Sequence, residues 1–113
     1  MKEIKAIIRP LKLLKVIEAL QQVKTLPGVT ISEIIGFGKE EPKTDDDKIL
    51  NEKVLYVPRT KLEVVVEDKI ADEVVNVIQQ AAFTGNPGDG KIFVTTVDDV
   101  IKIRTNEHGT AAV

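Results

Sequence analysis

Apolar and polar residues alternate along several short stretches of the chain, and this alternation predicts half-buried β-strands. The pattern is clearest in residues 2–9 and 61–67, where every second side chain is apolar. Residues 29–37 and 91–97 are rich in β-branched residues and predict two more strands, and residues 100–104 predict a short fifth one. The faces expected to be buried in the two clearest strands are Ile4, Ala6 and Ile8, and Leu62, Val64 and Val66.

Two other stretches carry apolar residues at helical spacing, which predicts amphipathic helices with one face against the sheet. Asp68 stands before the second stretch and is expected to cap its helix. The predicted buried stripes are Leu13, Leu14, Val16, Ile17, Leu20 and Val23 in the first helix, and Ile70, Val74, Val77, Ile78 and Ala81 in the second.

The strand and helix pattern occurs twice. Residues 4–8 resemble residues 62–66, and residues 16–22 resemble residues 74–80, in both cases after a shift of 58 positions. The shared shift indicates two βαβ halves, which right-handed crossovers convert into a four-stranded antiparallel sheet with both helices on one face. The predicted fold is therefore α+β, a ferredoxin-like βαββαβ sandwich, with residues 1–113 as a single domain.

Composition and charge narrow the classes of function. The chain has 16 basic and 18 acidic side chains and a net charge of −2, whereas nucleic-acid binding usually needs a basic surface. It has no cysteine, which excludes disulfides and thiolate metal sites. Because no run approaches the roughly 18 apolar residues of a membrane-spanning helix, we expect no membrane insertion, and the absence of cysteine fits a cytoplasmic protein.

The main candidate for chemistry is a glycine-rich loop. Residues 84–93 contain three glycines, and Lys91 follows the last of them at once. Such a loop can bind a phosphate through backbone N–H groups and a flexible cation. The same composition is typical of a plain surface turn between a helix and a strand. From the residues alone, both interpretations stay open.

A long connection with little periodicity covers residues 38–58. Loops beyond about 12–15 residues are uncommon in compact domains and are usually functional or disordered. It contains six apolar residues that either extend the third strand, meet a partner or become ordered on ligand binding, namely Ile49, Leu50, Val54, Leu55, Tyr56 and Val57. The aspartates 45–47 are not expected to bind calcium, because adjacent carboxylates do not converge on one ion. The polar tail, residues 105–113, is expected to be mobile.

Four segments taken together resemble PII signal-transduction proteins. They are residues 1–8, 36–38, 84–93 and 101–105, in the order that the family has. The resemblance extends over about residues 1–105, and the glycine loop is its most specific part. It implies a homotrimer of ferredoxin-like subunits that binds ATP or ADP in the clefts between subunits.

The resemblance also implies a signalling protein rather than an enzyme. In the family, a long T-loop contacts an enzyme, a transporter or a transcription regulator, and in many members 2-oxoglutarate joins Mg-ATP at the base of that loop. Residues 38–58 correspond to the T-loop. The expected partner is therefore a protein that docks on this segment, with an enzyme and a membrane transporter as the leading classes.

The resemblance assigns a set of nucleotide-binding positions. Residues 84–91 correspond to the phosphate-binding loop, and Lys102 and Arg104 to basic residues that reach the phosphates across the subunit boundary. Lys102 replaces the arginine usual in the family and loses its fork geometry. The full set is Ile7, Thr30, Gly36, Phe37, Gly38, Lys39, Glu63, Val65, Gly88, Asp89, Gly90, Lys91, Lys102 and Arg104, of which Thr30, Glu63 and Val65 match positions around the adenine and ribose.

Departures from the family pattern lie in the long loop. Glu40 replaces the glutamine that coordinates magnesium beside 2-oxoglutarate; a carboxylate still suits magnesium but repels the two carboxylates of the keto acid. Arg59 replaces the lysine that pairs with that ligand. We therefore expect weak or absent 2-oxoglutarate binding. Glu52 and Leu50 stand where other members carry a modified tyrosine or serine, so regulation by those modifications is not predicted.

Two alternatives remain open on the same fold. One is a trimer that senses a metal or a small anion, as CutA-like proteins do, and the other is a weak ATPase. His108 is the single histidine, it is expected to be a solvated tail residue, and no general base for hydrolysis is evident in the sequence.

Overall fold

The computed structural model describes residues 1–37 and 56–113. Within them, six main elements follow one another in the order β1, α1, β2, β3, α2 and β4. Their bounds are Lys2–Ile8 (β1), Leu13–Leu20 (α1), Thr30–Gly36 (β2), Val57–Val66 (β3), Asp68–Ala82 (α2) and Lys91–Thr96 (β4), and short 3-10 helices cover Pro10–Lys12 and Gly109–Ala112. No helix in these two segments has the length and hydrophobicity needed to cross a membrane.

The strands form one antiparallel sheet in the order β2-β3-β1-β4. The central strand β1 pairs on both sides, so that Ile4 lies beside Val64 of β3 and Val94 of β4. The two strands of each βαβ half have one strand between them, so the connection through the helix crosses over that strand, as the repeated pattern requires. The predicted ferredoxin-like fold is confirmed.

The hydrophobic core lies between the sheet and the two helices. Every second residue of β1 and β3 is buried, as the alternation of the sequence predicts, and the helices add their apolar stripes from above. The core residues are Ile4, Ala6, Ile8, Val16, Leu20, Val23, Leu62, Val64, Val66, Ala71, Val74, Ile78, Ala81 and Ala82.

One predicted core position of α1 is wrong. Val16 and Leu20 are buried, but Leu14 is 68% exposed. Successive residues of a helix are rotated by about 100°, so Leu14 lies almost opposite Val16 on the helix surface. Leu13, on the correct side, packs against the core instead.

Several boundaries differ from the sequence-based predictions. β3 begins at Val57 rather than at residue 61, so the last part of the long connection continues the strand. The helix α2 already includes Asp68; its N-cap is Glu67, and no side-chain capping bond forms, so the predicted cap is wrong. The Asp68 carboxylate instead contacts the amino group of Met1 at 2.9 Å.

The predicted fifth strand is also wrong. Residues 100–104 enter a turn in which Ile101 makes an isolated bridge with His108. The tail, expected to be mobile, folds back here, and the N–H of Gly109 donates to the carbonyl of Val100 at 3.0 Å. The polar composition misled the prediction because these residues are held by hydrogen bonds and not by apolar burial.

The sheet face that points away from the helices carries apolar and charged side chains in the same row. Across one row, Ile7 of β1 lies between Lys61 of β3 and Lys91 of β4. The register also places the start of β4, and with it the end of the glycine loop, beside the last residues of β1.

The core assignment predicts unequal costs for two helix truncations. Ile78→Ala, at a position 1% exposed, is expected to lower the free energy of unfolding by about 2–5 kcal/mol, because it leaves a cavity. Leu14→Ala is the matched control on α1 and is expected to change it by less than about 0.5 kcal/mol. Urea denaturation at a fixed protein concentration measures both, and equal losses would contradict the assigned core.

Candidate functional site

The glycine loop between α2 and β4 depends on backbone conformations that favour glycine. The φ angles are 87° at Gly85, 96° at Gly88 and 98° at Gly90, all in the region that other residues rarely adopt. At Gly90 the packing adds a second requirement, because a Cβ atom would lie 1.7 Å from the carbonyl oxygen of Ile7. The loop therefore lies directly against the end of β1.

The carboxylate of Asp89 holds this loop together. Its Oδ2 accepts hydrogen bonds from the backbone N–H of Thr84 at 2.8 Å and of Gly85 at 2.9 Å, and its Oδ1 accepts from the Thr84 hydroxyl and from Nε of Arg9. The hydroxyl and the backbone N–H of Thr84 hold the pKa of the Asp89 carboxyl well below its usual range. The carboxylate is thus turned into the loop, where it acts as an organiser of the turn.

Arg9 contacts the glycine loop, although the sequence analysis assigned it no role in the site. Its Nε lies 3.1 Å from Oδ1 of Asp89, and its Nη2 donates to the carbonyl of Pro87. The two partners of the ion pair are 80 positions apart in the chain. No local sequence motif joins these two residues. They become neighbours because the register of the sheet pairs Ile7 with Lys91.

The other side of the loop is equipped to bind an anion. Within the two described segments, the backbone N–H groups of Gly88, Asp89 and Gly90 have no hydrogen-bond acceptor. The sign of φ alternates over these three residues, which is the backbone arrangement of an anion-binding nest. Lys91 follows directly and is exposed. A cavity of about 330 Å³ adjoins this loop and includes Ile7, Gly90 and Lys91 in its lining.

The residues predicted to surround an adenine and ribose form a second group elsewhere on the molecule. Thr30 of β2 pairs with Glu63 of β3, and Val65 follows two positions later. These three residues line a separate cavity of about 390 Å³, together with Gly28 and the tail residue Val113. This second cavity is bounded by the sheet on one side and by the folded-back tail on the other.

The two groups are not brought together within one chain. Lys91 of β4 is level with Ile7 of β1 and Lys61 of β3. Glu63 lies two positions further along β3 than Lys61, and its partner Thr30 lies on the next strand, β2. With strands about 4.8 Å apart and residues about 3.3 Å apart, the second group lies roughly 12–16 Å from Lys91. Ile7 and Val65, both placed in the nucleotide-binding set by the resemblance, line different cavities.

The predicted cations Lys102 and Arg104 lie on an exposed turn. The turn is closed by hydrogen bonds from the N–H of Lys102 to the carbonyl of Glu107 at 2.9 Å and from the N–H of Asn106 to the carbonyl of Lys102 at 2.7 Å. Asn106 has a φ of 59°, which asparagine tolerates better than most residues. Both cations are exposed, and the whole of β4 separates their turn from the glycine loop of the same chain.

A second aspartate fixes the base of that turn. Asp99 accepts hydrogen bonds from the N–H groups of Val100 and Gly109 at 2.9 and 3.0 Å, and its Oδ2 lies 2.9 Å from Nδ1 of His108. The contact with His108 is the main cause that lowers the pKa of Asp99. His108 was expected to be a solvated tail residue. Its side chain is half exposed and contacts the Asp99 carboxylate at the base of the turn.

The remaining predicted positions lie near the long connection. Gly36 ends β2 opposite Val57, and Phe37 packs edge to face on Tyr56 with ring centroids 6.3 Å apart. Arg59 donates to the carbonyl of Pro58 and lines a cavity of about 600 Å³. Gly38, Lys39 and Glu40, and the acidic run 45–47, lie outside the described residues.

Magnesium was linked by the resemblance to Glu40, so its fit cannot be argued from the described residues. Among those residues, no three histidine or acidic side chains converge in the way that a metal ion requires. The described glycine loop offers backbone N–H groups and the exposed Lys91 ammonium, which suit an anionic ligand.

The fold and this loop define a class, a small α+β domain with a candidate site for an anionic group. The sequence of residues 1–107 matches the family model of Nitrogen regulatory protein P-II. Relatives with that name are 46% identical in Azospirillum brasilense and 47% identical in Rhizobium meliloti, and Nitrogen regulatory protein P-II 1 of Escherichia coli is 45% identical; each alignment covers all of both chains.

A solved structure is similar as well. The crystal structure of Arabidopsis thaliana PII bound to citrate has a TM-score of 0.79 and 38% identity, over 99% of this chain and 91% of that one. The chain belongs to the nitrogen regulatory protein P-II family, as the sequence motifs predicted. This is a family of regulatory proteins, and the matches do not favour a CutA-like metal sensor or an ATPase.

The contacts of Asp89 predict how stability depends on pH. Its folded-state pKa lies below the ordinary value of about 3.9 for an unfolded chain, so its stabilising contribution is present at neutral pH and is lost as the pH falls below about 4. In Asp89→Asn this loss is absent, so the difference in unfolding free energy between wild type and variant should shrink in acid. Urea denaturation at several pH values between about 3 and 7 measures this difference in unfolding free energy.

The matched control is Asp72→Asn, at an exposed position on α2. Its profile should run parallel to that of the wild type. If the profile of Asp89→Asn also runs parallel, the carboxylate does not hold the loop in solution.

Proposed function

We propose that this chain is a trimeric P-II-type signalling protein that binds ATP or ADP in clefts between its subunits and thereby controls a partner protein through residues 38–58. The observation that supports nucleotide binding most strongly is the glycine loop. Gly88 and Gly90 hold positive φ angles, the N–H groups of residues 88–90 have no acceptor in the described segments, and Lys91 follows.

Electrostatics also favour a phosphate at this place. An acidic side chain beside a phosphate is normally repulsive, but the Asp89 carboxylate is turned away into hydrogen bonds with Thr84 and Gly85 and is paired with Arg9. Its charge is compensated inside the loop. The outward-facing groups are then backbone donors and the Lys91 ammonium, which together neutralise phosphate charge.

The separation of the two groups of residues supports a site shared between copies of the chain. One chain carries the phosphate-type loop at the β4 side of the sheet and the adenine-type residues Thr30, Glu63 and Val65 at the β2 side. Cyclic symmetry brings different surfaces of one chain onto each other in successive copies. A closed ring of three copies would place the cations of the 101–108 turn against the glycine loop of the next chain.

The position of the long connection suggests how the nucleotide acts on a partner. Gly36 and Val57, which flank the connection, pair with each other at the end of the sheet where Ile7 pairs with Lys91. A nucleotide at the glycine loop would therefore lie at the same end of the sheet as the two residues that flank the segment 38–55. ATP and ADP would control the partner by binding the conformations of this segment with different affinity, since a ligand shifts an equilibrium only through such a difference.

The proposal predicts that two cations contribute to nucleotide affinity. Lys91→Gln and Arg104→Gln should each weaken ATP binding about 10- to 100-fold, because each removes a charge-assisted contact worth roughly 1.5–3 kcal/mol. Lys15→Gln, at an exposed position on α1, is the matched control and should leave the affinity unchanged. Isothermal titration calorimetry measures all four proteins. Absence of both heat and thermal shift for the wild type at millimolar ATP and ADP would refute nucleotide binding.

The second effector is a separate prediction. The charge of Glu40, argued from the sequence, predicts that 2-oxoglutarate binds weakly or not at all, with or without Mg-ATP. Titration of 2-oxoglutarate into the protein saturated with Mg-ATP should give no more than millimolar affinity, and Glu40→Gln should tighten it. Tight binding to the wild type would show that the carboxylate at position 40 does not exclude the keto acid.

A further inference from the structure

We propose that Arg9 is a positioning residue of the phosphate-binding loop: it sets the shape of the loop through Asp89 and Pro87, and so determines nucleotide affinity without touching the nucleotide. This inference rests on the nucleotide binding proposed above. It extends the site to a residue at the end of β1, far from the glycine loop in the sequence.

The contacts of Arg9 form a brace between the sheet and the loop. The guanidinium uses two nitrogens on two acceptors, Nε on the Asp89 carboxylate at 3.1 Å and Nη2 on the Pro87 carbonyl. The side chains of Arg9 and Asp89 are each only 23% exposed, so water competes little for the pair. Together with the close approach of Gly90 to Ile7, the brace ties both sides of the nest to β1.

Geometry explains why arginine suits this position. A guanidinium holds its donors in a fixed plane, so that both contacts can form at once, whereas the single ammonium of lysine cannot span the two acceptors in the same way. The nest needs fixed φ angles at Gly88 and Gly90 to direct its N–H groups to one point. Arg9 holds Asp89, which lies between the two glycines, and Pro87, which precedes Gly88.

Charge separates this role from that of a direct ligand. Arg9 is neutralised by Asp89, so it adds little net field at the phosphate, whereas Lys91 acts as a cation toward the ligand. Loss of Lys91 should therefore reduce the salt dependence of ATP binding, because fewer exposed charges remain to be screened. Loss of the Arg9–Asp89 pair as a whole should weaken binding with little change in salt dependence.

The test is a double-mutant cycle on ATP affinity with Arg9→Met, Asp89→Asn and the double variant. Methionine keeps much of the aliphatic stem, and asparagine keeps the shape of the acid. If Arg9 acts through Asp89, each single variant weakens binding about tenfold, and the double variant is no weaker than the weaker single one, since coupled residues are not additive. Arg9→Lys should lose less than Arg9→Met.

Two results would overturn the inference. An additive loss of roughly 100-fold in the double variant would mean that Arg9 contacts the nucleotide independently, and unchanged affinity in Arg9→Met would mean that the loop does not need the brace. All titrations are made at a temperature where each variant is folded and has the oligomeric state of the wild type.

Hydrogen exchange keeps the inference testable if a variant associates poorly or if the wild type binds no nucleotide. Without nucleotide, Arg9→Lys and Arg9→Met should exchange the amides of residues 84–90 faster than the wild type, with the core strands unchanged. Equal exchange would refute the brace. A wild type that binds no ATP refutes the proposed function instead, so the two failures are distinguishable.

Discussion

The carboxylate of Asp89 is the interaction on which the candidate site depends. It gathers donors from Thr84, Gly85 and Arg9 inside a loop that has no hydrophobic core of its own. A loop this rich in glycine loses much conformational entropy when it becomes ordered. Partly buried, charge-assisted hydrogen bonds offset that cost better than neutral ones, and they leave the outward-facing amides of the loop available for a ligand.

The same device recurs at the other candidate phosphate-contacting segment. Asp99 joins Val100, Gly109 and His108 and so sets the turn that carries Lys102 and Arg104. Each segment is shaped by an aspartate that points inward, and each presents cations or amides outward. Because the two segments do not meet within one chain, the proposed nucleotide site requires that another copy of the chain supply the second half.

Much of the fold followed from the sequence because the core residues repeat with the periods of strands and helices. The alternation at Ile4 and Ile8 located β1 and its buried face, and the repeated βαβ pattern led to a four-stranded antiparallel sheet with both helices on one face. Leu14 was misplaced because it was counted with the apolar stripe of α1, although it lies almost opposite the buried Val16 on the helix surface. The tail was misjudged because the hydrogen bonds of Asp99 leave no periodic signal.

The site was predictable only in part. The glycines of the loop were recognisable because few other residues adopt their φ angles, and the resemblance to a known family named their role. The role of Arg9 and the inward direction of the Asp89 side chain were missed, since the ion pair joins residues that only the three-dimensional fold makes neighbours. Side-chain direction, which decides whether an acid organises or binds, is not encoded in a short motif.

The central claim is that two copies of the chain complete one nucleotide site, and mixed oligomers test it most directly. Copies carrying Lys91→Gln and copies carrying Arg104→Gln are refolded together under separate affinity tags, and ATP binding of the doubly tagged oligomers is measured. If the site is shared, the doubly tagged trimers have wild-type affinity at about a third of their sites, because one junction in each mixed trimer keeps both halves intact. If the mixed oligomers bind ATP no better than the two parents, the site does not lie between subunits, and the account is wrong.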